Sequence, residues 1–221
     1  SADAVVYNPA GVMKMEDGLY VNLSNQYVLK DYSHTVNDVE YDQDTPSYIP
    51  SLFGLYKQAR WAGFGAFYIP CGGGKVEYEE GSATTLSLGQ GYMAGINALA
   101  GATLYDTIKN QRLEAEKIYY GFTLGGAYAL NDMVSVSIGA RYIDAQKETE
   151  GSVTISPSAL GQALGQTDRS AAVDYEETAD GWAGIVGINI APTEKLNIGL
   201  RYETNTRLDF ETEVNRADLP V

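Results

Sequence analysis

Residues 196–203 read Leu196-Asn197-Ile198-Gly199-Leu200-Arg201-Tyr202-Glu203, with apolar and polar side chains in alternation. One face of this segment carries Leu, Ile, Leu and Tyr, and the other carries Asn, Gly, Arg and Glu. A period of two is the period of a β-strand, whereas a helical period of 3.6 would scatter the apolar set around the axis. The segment therefore predicts an amphipathic strand, which the alternation extends to residue 210.

The same pattern recurs along the chain and predicts an all-β protein. The predicted strands are residues 19–30, 49–57, 61–69, 115–130, 133–145, 181–190 and 196–210. Strands of globular proteins usually have about 5 to 6 residues, whereas a tilted strand that crosses a membrane needs about 9 to 11. Several of the predicted strands have about ten or more, so their length favours a transmembrane antiparallel sheet.

The connections between these strands alternate in length. Short ones are expected at 58–60, 131–132 and 191–195, and long ones at 31–48, 71–114 and 146–180. If consecutive strands are antiparallel, all short turns fall on one side of the sheet and all long loops on the other. Outer-membrane β-barrels have this asymmetry, with short periplasmic turns and long extracellular loops. A soluble β-sandwich can show it by chance, so that alternative stays open.

Two of the long loops are predicted to contain helices. The first has helix-forming residues near the middle of 87–111, and the second, 158–164, begins with Ser158 as an N-cap after Pro157. The chain has 17 tyrosines, and many fall near predicted strand ends, as an interfacial aromatic girdle requires. Helices on the extracellular side could form lids or grooves.

Composition excludes several classes of function. The formal net charge is −14, which argues against a nucleic-acid partner because phosphate binding needs clustered Lys and Arg. Cys71 and His34 are each the single residue of their type, so neither an intrachain disulfide nor a multi-histidine metal site can form. We find no nucleophile elbow, P-loop or dinucleotide fingerprint. We therefore predict no enzyme activity, no metal site and no cofactor.

Four segments resemble the FadL/TodX family of outer-membrane transport proteins. Residues 2–11, with Asn8-Pro9-Ala10, resemble the Asn-Pro-Ala part of the family's N-terminal plug, which is called the hatch. Residues 68–78 resemble its third strand with a glycine-containing interruption, and 119–145 resemble a central hairpin. Residues 181–210 resemble the strands that follow. The match runs over nearly the whole chain in a consistent order.

The resemblance implies a barrel of about fourteen strands, closed by a hatch, that passes hydrophobic molecules across the bacterial outer membrane. Residues 1–17 would be the end of the hatch and residues 18–221 the N-terminal half of the barrel, with roughly seven strands. Because an open half-barrel would leave unpaired strand edges in lipid, we expect this sequence to be part of a longer chain or assembly. The expected partners are hydrophobic small molecules such as long-chain fatty acids, together with outer-membrane lipid and lipopolysaccharide.

Three groups of residues are candidate functional sites under this interpretation. The hatch turn is Asn8, Pro9 and Ala10, and it either moves when ligand binds or is a static part of the plug. A lateral gate in the wall is predicted at Pro70, Cys71, Gly72, Gly73 and Gly74, where proline and glycine weaken strand pairing; an ordinary strand end is the alternative. The ligand-binding candidates are Leu86, Leu88, Tyr92, Met93, Ile96, Leu99, Arg141 and Arg201.

The apolar members of the last group would form an extracellular groove, or else pack a lid helix onto the rim. The two arginines would form interior ion pairs or bind a carboxylate headgroup. Passive uptake with lateral exit is the function that this interpretation favours. The alternatives are a binding or secretion-system adaptor with the same fold, a haem-binding outer-membrane receptor that uses His34, and a soluble β-sandwich binding module.

Overall fold

A computed structural model describes residues 2–193 and 195–218 of the chain. The helices are α1 (Ala4–Tyr7), a 3-10 helix (Pro9–Lys14), α2 (Ala83–Ala100) and α3 (Ala159–Ala163). The strands are β1 (Gly18–Val28), β2 (Tyr32–Val36), β3 (Val39–Gln43), β4 (Ser47–Gln58), β5 (Trp61–Tyr78), β6 (Tyr105–Ala129), β7 (Val134–Pro157), β8 (Arg169–Thr193), β9 (Leu196–Glu203) and β10 (Glu211–Ala217). Ser1, Glu194 of the predicted turn 191–195, and residues 219–221 lie outside the described residues.

Eight strands form one antiparallel sheet in the order β1-β4-β5-β6-β7-β8, and the free edge of β8 pairs with both β9 and β10. β2 and β3 form a separate hairpin. The all-β, antiparallel prediction is therefore confirmed. Within residues 2–193 and 195–218, β1 pairs with neither β9 nor β10, so the sheet is not closed into a barrel.

The seven predicted strands are present, but most predicted boundaries are too short at the long-loop end. β5 runs to Tyr78, β6 begins at Tyr105, β7 ends at Pro157 and β8 begins at Arg169. The predicted loops 71–114 and 146–180 are thus partly strand, because pairing between β6, β7 and β8 continues through polar sequence. Ser158 caps α3 as predicted, and its hydroxyl accepts a hydrogen bond from the Gly161 N–H. The predicted loop 31–48 contains the β2–β3 hairpin.

The predicted strand 196–210 ends early, at Glu203. Residues 204–210 leave β8 and lie over its inner face at Gly181, where a side chain would collide with the Arg207 carbonyl and the Thr206 and Leu208 side chains. The chain then rejoins β8 as β10. The ring of Phe210 lies 6.4 Å from that of Tyr119 on β6, measured between centroids. The segment 204–210 therefore crosses the inner face of the sheet.

The two faces of the sheet differ in burial as the alternation predicts. On the inner face, Thr123, Ser137, Ala183 and Asn189 are buried. On the outer face, large apolar side chains are exposed: Leu124 75%, Ile138 70% and Trp182 66%. A β-sandwich would cover such residues with a second sheet, and no second sheet covers them in the part of the chain that the structure describes.

The N-terminal segment packs against the inner face. Val5 of α1 and Val12 and Met13 of the 3-10 helix form one core with inner-face residues of β4, β5 and β6, which are Leu55, Ala62, Phe64, Ala66 and Ala127. The Ser135 hydroxyl donates to the Ala10 carbonyl over 2.7 Å. A second core lies beneath α2, at the long-loop end of β6, β7 and β8. None of the helices in the described residues is long and apolar enough to span a bilayer.

Candidate functional site

The wall formed by the sheet is interrupted between β4 and β5. β4 pairs with β1 from Ser47 to Lys57, but it pairs with β5 only from Gln58↔Trp61 to Leu52↔Phe67. Residues 47–51 of β4 therefore have no partner on β5, although β5 continues to Tyr78. Pro50 lies within the unpaired stretch of β4 and Pro70 within that of β5. Proline lacks the N–H that a ladder hydrogen bond needs, so both residues favour the interruption.

The predicted loss of regular pairing at Pro70, Cys71, Gly72, Gly73 and Gly74 is present as two irregularities within β5. The register against β6 shifts between Tyr68 and Cys71 and again between Gly72 and Gly74, after which pairing resumes. Gly72 and Gly73 have φ values of +76° and +86°, a region that side chains with a Cβ rarely adopt. The alternative of a strand that ends here is wrong, because β5 extends to Tyr78.

A cavity of about 360 Å³ lies at this interruption. Its lining residues come from the end of β1, from the loop that follows, from the first residue of β2, and from β4, β5 and β6; they are Val28, Lys30, Tyr32, Ser47, Ile49, Gly72, Gly73, Gly74, Val76 and Lys117. The cavity is apolar on several sides and has two lysines but no carboxylate in its lining. The interruption between β4 and β5 is therefore a cavity that combines apolar residues with lysines.

The hatch candidates Asn8, Pro9 and Ala10 form the start of the 3-10 helix on the inner face. Asn8 is its N-cap and accepts a hydrogen bond from the Gly11 N–H through its side-chain oxygen. Pro9 and Ala10 are buried against the sheet. Because these residues are held by both capping and packing, they form an ordered turn, and whether ligand moves that turn stays a prediction.

The apolar ligand candidates divide into three environments on or near α2. Leu88, Tyr92, Met93 and Ile96 pack against the buried core of Tyr105, Val153, Ile155, Ala171 and Val173. Leu86 lines a cleft of about 680 Å³ beneath the β2–β3 hairpin, together with Val39, Tyr41 and Ile108. Leu99 is 92% exposed.

The six apolar side chains therefore do not line one common surface, and their role in ligand binding stays a prediction. Most of them attach α2 to the extended ends of β6, β7 and β8, which is the packing alternative. Gly89 permits this close approach, since a Cβ at that position would lie 2.7 Å from Ile108 Cδ1 and 2.8 Å from Val153 Cγ2.

Arg141 and Arg201 come together on the inner face around one carboxylate. The Arg141 Nη1 lies 2.7 Å from Glu203 Oε1, and the Arg201 guanidinium pairs with Glu203 Oε2. The Arg141 guanidinium also lies 5.2 Å from the centroid of the Tyr68 ring, beside the start of the β5 irregularity. The two arginines are ion-paired as one of the two predicted roles requires, and carboxylate binding stays a prediction.

His34 is already engaged by its surroundings. Its imidazole lies 5.3 Å from the rings of both Tyr41 and Tyr78, and its Nε2 accepts a hydrogen bond from the Ala83 N–H at 3.1 Å. Because Nε2 is occupied at the N-terminus of α2, the side chain joins the β2–β3 hairpin to that helix. This contact weighs against a role in haem ligation.

Sequence reasoning missed Lys30, Ser47 and Asn189. Pro50 was the available signal for the unpaired part of β4, since a proline in a predicted strand favours an edge. The position of Asn189 opposite the N-terminal segment depends on a contact between residues 181 positions apart, which no local pattern contains. In the part of the chain that the structure describes, no three His, Cys, Asp or Glu side chains are placed to hold a metal ion.

Comparison of the chain with protein-family models, with curated proteins and with solved structures gives no match.

Proposed function

We propose that this chain forms wall and plug of a FadL-like transmembrane β-barrel in the bacterial outer membrane. Its task is passive passage of hydrophobic molecules, with long-chain fatty acids as the default substrates. The molecule would be captured on the side of the long loops and would leave sideways through the interruption between β4 and β5. The chemistry required is desolvation and guidance, with no bond made or broken.

The observation that carries this proposal is the order of side chains on the outer face. An aromatic row crosses four neighbouring strands through Phe67, Phe122, Tyr142 and Trp182, with ring centroids 5.0 to 6.4 Å apart. A second aromatic group, Tyr56, Trp61 and Tyr128, lies at the short-turn end of the sheet.

Between these two aromatic groups the outer face carries exposed apolar residues, which include Leu124, Ile138 and Val186. An apolar band between aromatic girdles is the outer surface of a membrane barrel. In water the same surface would be a large uncovered apolar patch, which soluble monomers rarely have.

The strand pairing supports a route through the wall. The inner face binds the N-terminal segment, so the direct path along the lumen is occupied at the short-turn end. Residues 47–51 of β4, which have no partner on β5, lie beyond the end of the β4–β5 ladder, on the side toward the long loops. A hydrophobic molecule entering from that side meets the interruption before it meets the plug.

The fold within a bilayer requires that the edges at β1 and at β9 and β10 be paired. Backbone N–H and C=O groups that face hydrocarbon without partners cost several kcal/mol each. We therefore propose that further strands, from the same polypeptide or from another copy, complete the barrel to about fourteen strands.

A pair of arginine substitutions on one strand and one face tests the membrane location. Ile138→Arg places a charge in the apolar band, and Gln146→Arg places it on the same face of β7 beyond the aromatic row. In lipid bilayers we expect Ile138→Arg to lower the free energy of unfolding by about 2 to 4 kcal/mol and Gln146→Arg by much less. Reversible unfolding in urea from vesicles measures both. Equal, small losses would show that Ile138 faces water and would exclude this proposal.

A further inference from the structure

Gly74 is the third glycine of the wall interruption, and the reason for glycine there differs from the reason at Gly72 and Gly73. Gly72 and Gly73 have positive φ, so their backbone conformation explains the residue type. Gly74 has no such conformation. A Cβ at Gly74 would instead lie 2.6 Å from Lys30 Nζ and 2.7 Å from Ser47 Oγ. Glycine at position 74 therefore leaves room for an ammonium group and a hydroxyl that converge on one small volume.

Ser47 has an unusual position for a serine hydroxyl. The residue is 5% exposed, and its Oγ is buried without a hydrogen-bond partner among the described residues. Burial of a hydroxyl without a partner destabilises a fold. Such a group in a native structure calls for a reason, and a ligand atom is one. Ser47 lines the cavity at the interruption, so its hydroxyl is placed to meet a molecule there.

Lys30 spans the interruption from the β1 side. Its Nζ donates a hydrogen bond over 2.9 Å to the Lys75 carbonyl of β5, next to the end of β4 that has no ladder pairing with β5. An ammonium group has three donors, and this contact uses one. Lys30, in the loop after β1, thus links that loop to β5, and its ammonium group still has N–H donors free for a ligand.

The charge of the cavity lining identifies the kind of ligand. The Lys30 ammonium brings a positive charge to the cavity beside Gly74, and the lining contains no carboxylate, although the chain carries a net charge of −14. Val28, Ile49 and Val76 supply apolar walls. A molecule that matches this lining has an anionic oxygen group joined to a hydrocarbon body.

We propose that Lys30, Ser47 and Gly74 form a binding site for the anionic headgroup of an amphiphile at the wall interruption. This rests on the proposed function and adds to it the residues that select the headgroup at the exit. The headgroup oxygen accepts hydrogen bonds from Lys30 Nζ and Ser47 Oγ, which converge beside Gly74. A carboxylate of a transported molecule and a phosphate of a membrane lipid both have this chemistry.

Equilibrium binding of three probes to the full chain in a nonionic detergent tests the site. The probes are dodecanoate, dodecyl phosphate and 1-dodecanol, which share a hydrocarbon tail and differ in headgroup charge. We expect the wild type to bind an anionic probe at least tenfold more tightly than the alcohol. Preference for dodecanoate assigns the site to a transported acid, and preference for dodecyl phosphate assigns it to a lipid headgroup.

Three substitutions remove the site in different ways. Lys30→Gln keeps a donor for the Lys75 carbonyl but removes the charge, and Ser47→Ala removes the hydroxyl. Gly74→Ala adds a Cβ that would displace the Lys30 ammonium and the Ser47 hydroxyl. We expect each to reduce the preference for the anionic probe, with Lys30→Gln reducing it about tenfold and leaving the affinity for 1-dodecanol unchanged. Gly63→Ala on the same strand is the control, because a Cβ there meets nothing within 4 Å.

The outcomes separate this inference from the proposed function. If the wild type binds the alcohol as tightly as both anions, or if Lys30→Gln and Gly74→Ala leave the preference unchanged, the headgroup site is excluded while a hydrophobic channel stands. If none of the probes binds and the Ile138→Arg experiment also places that residue in water, the proposed function fails as well.

Discussion

The side-chain amide of Asn8 donates a hydrogen bond over 2.8 Å to the Oδ1 of Asn189, a residue of β8 that is fully buried. Asn189 in turn donates to Asn197 of β9 over 2.7 Å. The two contacts join the N-terminal segment to two neighbouring strands of the inner face. Glycine at positions 11 and 199 leaves space for the Asn8 side chain, since a Cβ at either would collide with it.

Two substitutions at Asn8 separate its capping from its contact with β8. Asn8→Asp keeps an oxygen for the Gly11 N–H but cannot donate to Asn189, and Asn8→Ala loses both contacts. We expect Asn8→Ala to lower the free energy of unfolding by about 1 to 3 kcal/mol, because a buried amide loses its partner. Hydrogen exchange of residues 2–17 measures release of the segment. Equal protection in Asn8→Ala and wild type would show that apolar packing alone holds it.

A second prediction compares two glycines on paired strands. Gly125 of β6 is closely packed by its neighbours, and Gly63 of β5 is not. A Cβ on Gly125 would lie 2.5 Å from Phe64 Cζ and 2.6 Å from the Ile138 carbonyl oxygen, whereas one on Gly63 meets nothing within 4 Å. Gly125→Ala should therefore lower the free energy of unfolding by about 1 to 3 kcal/mol through overpacking. Gly63→Ala should change it little. Urea unfolding of both variants makes the comparison, and a neutral Gly125→Ala would contradict the packing of Phe64.

A third prediction concerns a row of like charges beyond the aromatic row. Glu116, Glu148, Glu176 and Glu213 occupy directly paired positions on β6, β7, β8 and β10. Like charges directly opposite one another destabilise a sheet by about 0.2 to 1 kcal/mol per pair. Glu148→Gln removes two such pairs, so we expect the urea midpoint to rise, and more at low salt than at high salt.

The control for the glutamate row is Glu40→Gln. Glu40 is paired with Thr35 in the β2–β3 hairpin, so it loses a charge without relieving an opposed acid. A midpoint that rises equally in both variants would indicate a general effect of net charge. A midpoint that rises only in Glu148→Gln would indicate the cross-strand row.

The fourth prediction is a pH dependence at the short-turn end. A hydrogen bond from Lys57, and a second from the Ala59 N–H, hold the pKa of Asp17 below its ordinary value. Because the folded pKa is the lower one, this contribution to stability is fully present above the unfolded pKa of about 3.9 and is lost as the pH falls through the folded pKa. In Asp17→Asn, the free energy of unfolding should fall less steeply than in the wild type as the pH drops below about 4. Unfolding curves across that range check it, with Asp38→Asn in the β2–β3 hairpin as the control.

The sheet could be predicted from the sequence because alternation is a local signal. The run 196–203 and the hairpin 119–145 each carry their own period of two, and all three short turns lie where predicted, apart from Glu194, which is outside the described residues. Strand ends could not be predicted beyond the apolar band, because pairing there continues through Glu114, Glu116 and Glu148. Hydrogen bonds to a neighbouring strand sustain such segments, and a single segment does not contain that information.

The candidate site was predictable only in part for the same reason. Pro70, Gly72, Gly73 and Gly74 mark a local weakness in strand pairing that is evident from the sequence. The part of β4 that lacks a partner on β5 depends on the register between those strands. The approach of Lys30 and Ser47 to Gly74 joins residues that are 27 to 44 positions apart in the sequence. The apolar stripe of α2 was ambiguous in sequence between a groove and a packing face, and tertiary contacts decide for packing at most of its residues.

The inner crossing of residues 204–210 links two parts of the molecule that are far apart in sequence. Phe210 rests on Tyr119, and Tyr119 is the ladder partner of Cys71 in the irregular part of β5. A ligand large enough to displace Phe210 would also remove the aromatic ring that packs against Tyr119. Occupancy of the inner face would thereby change the surroundings of the β6 residue that pairs with the irregular part of β5.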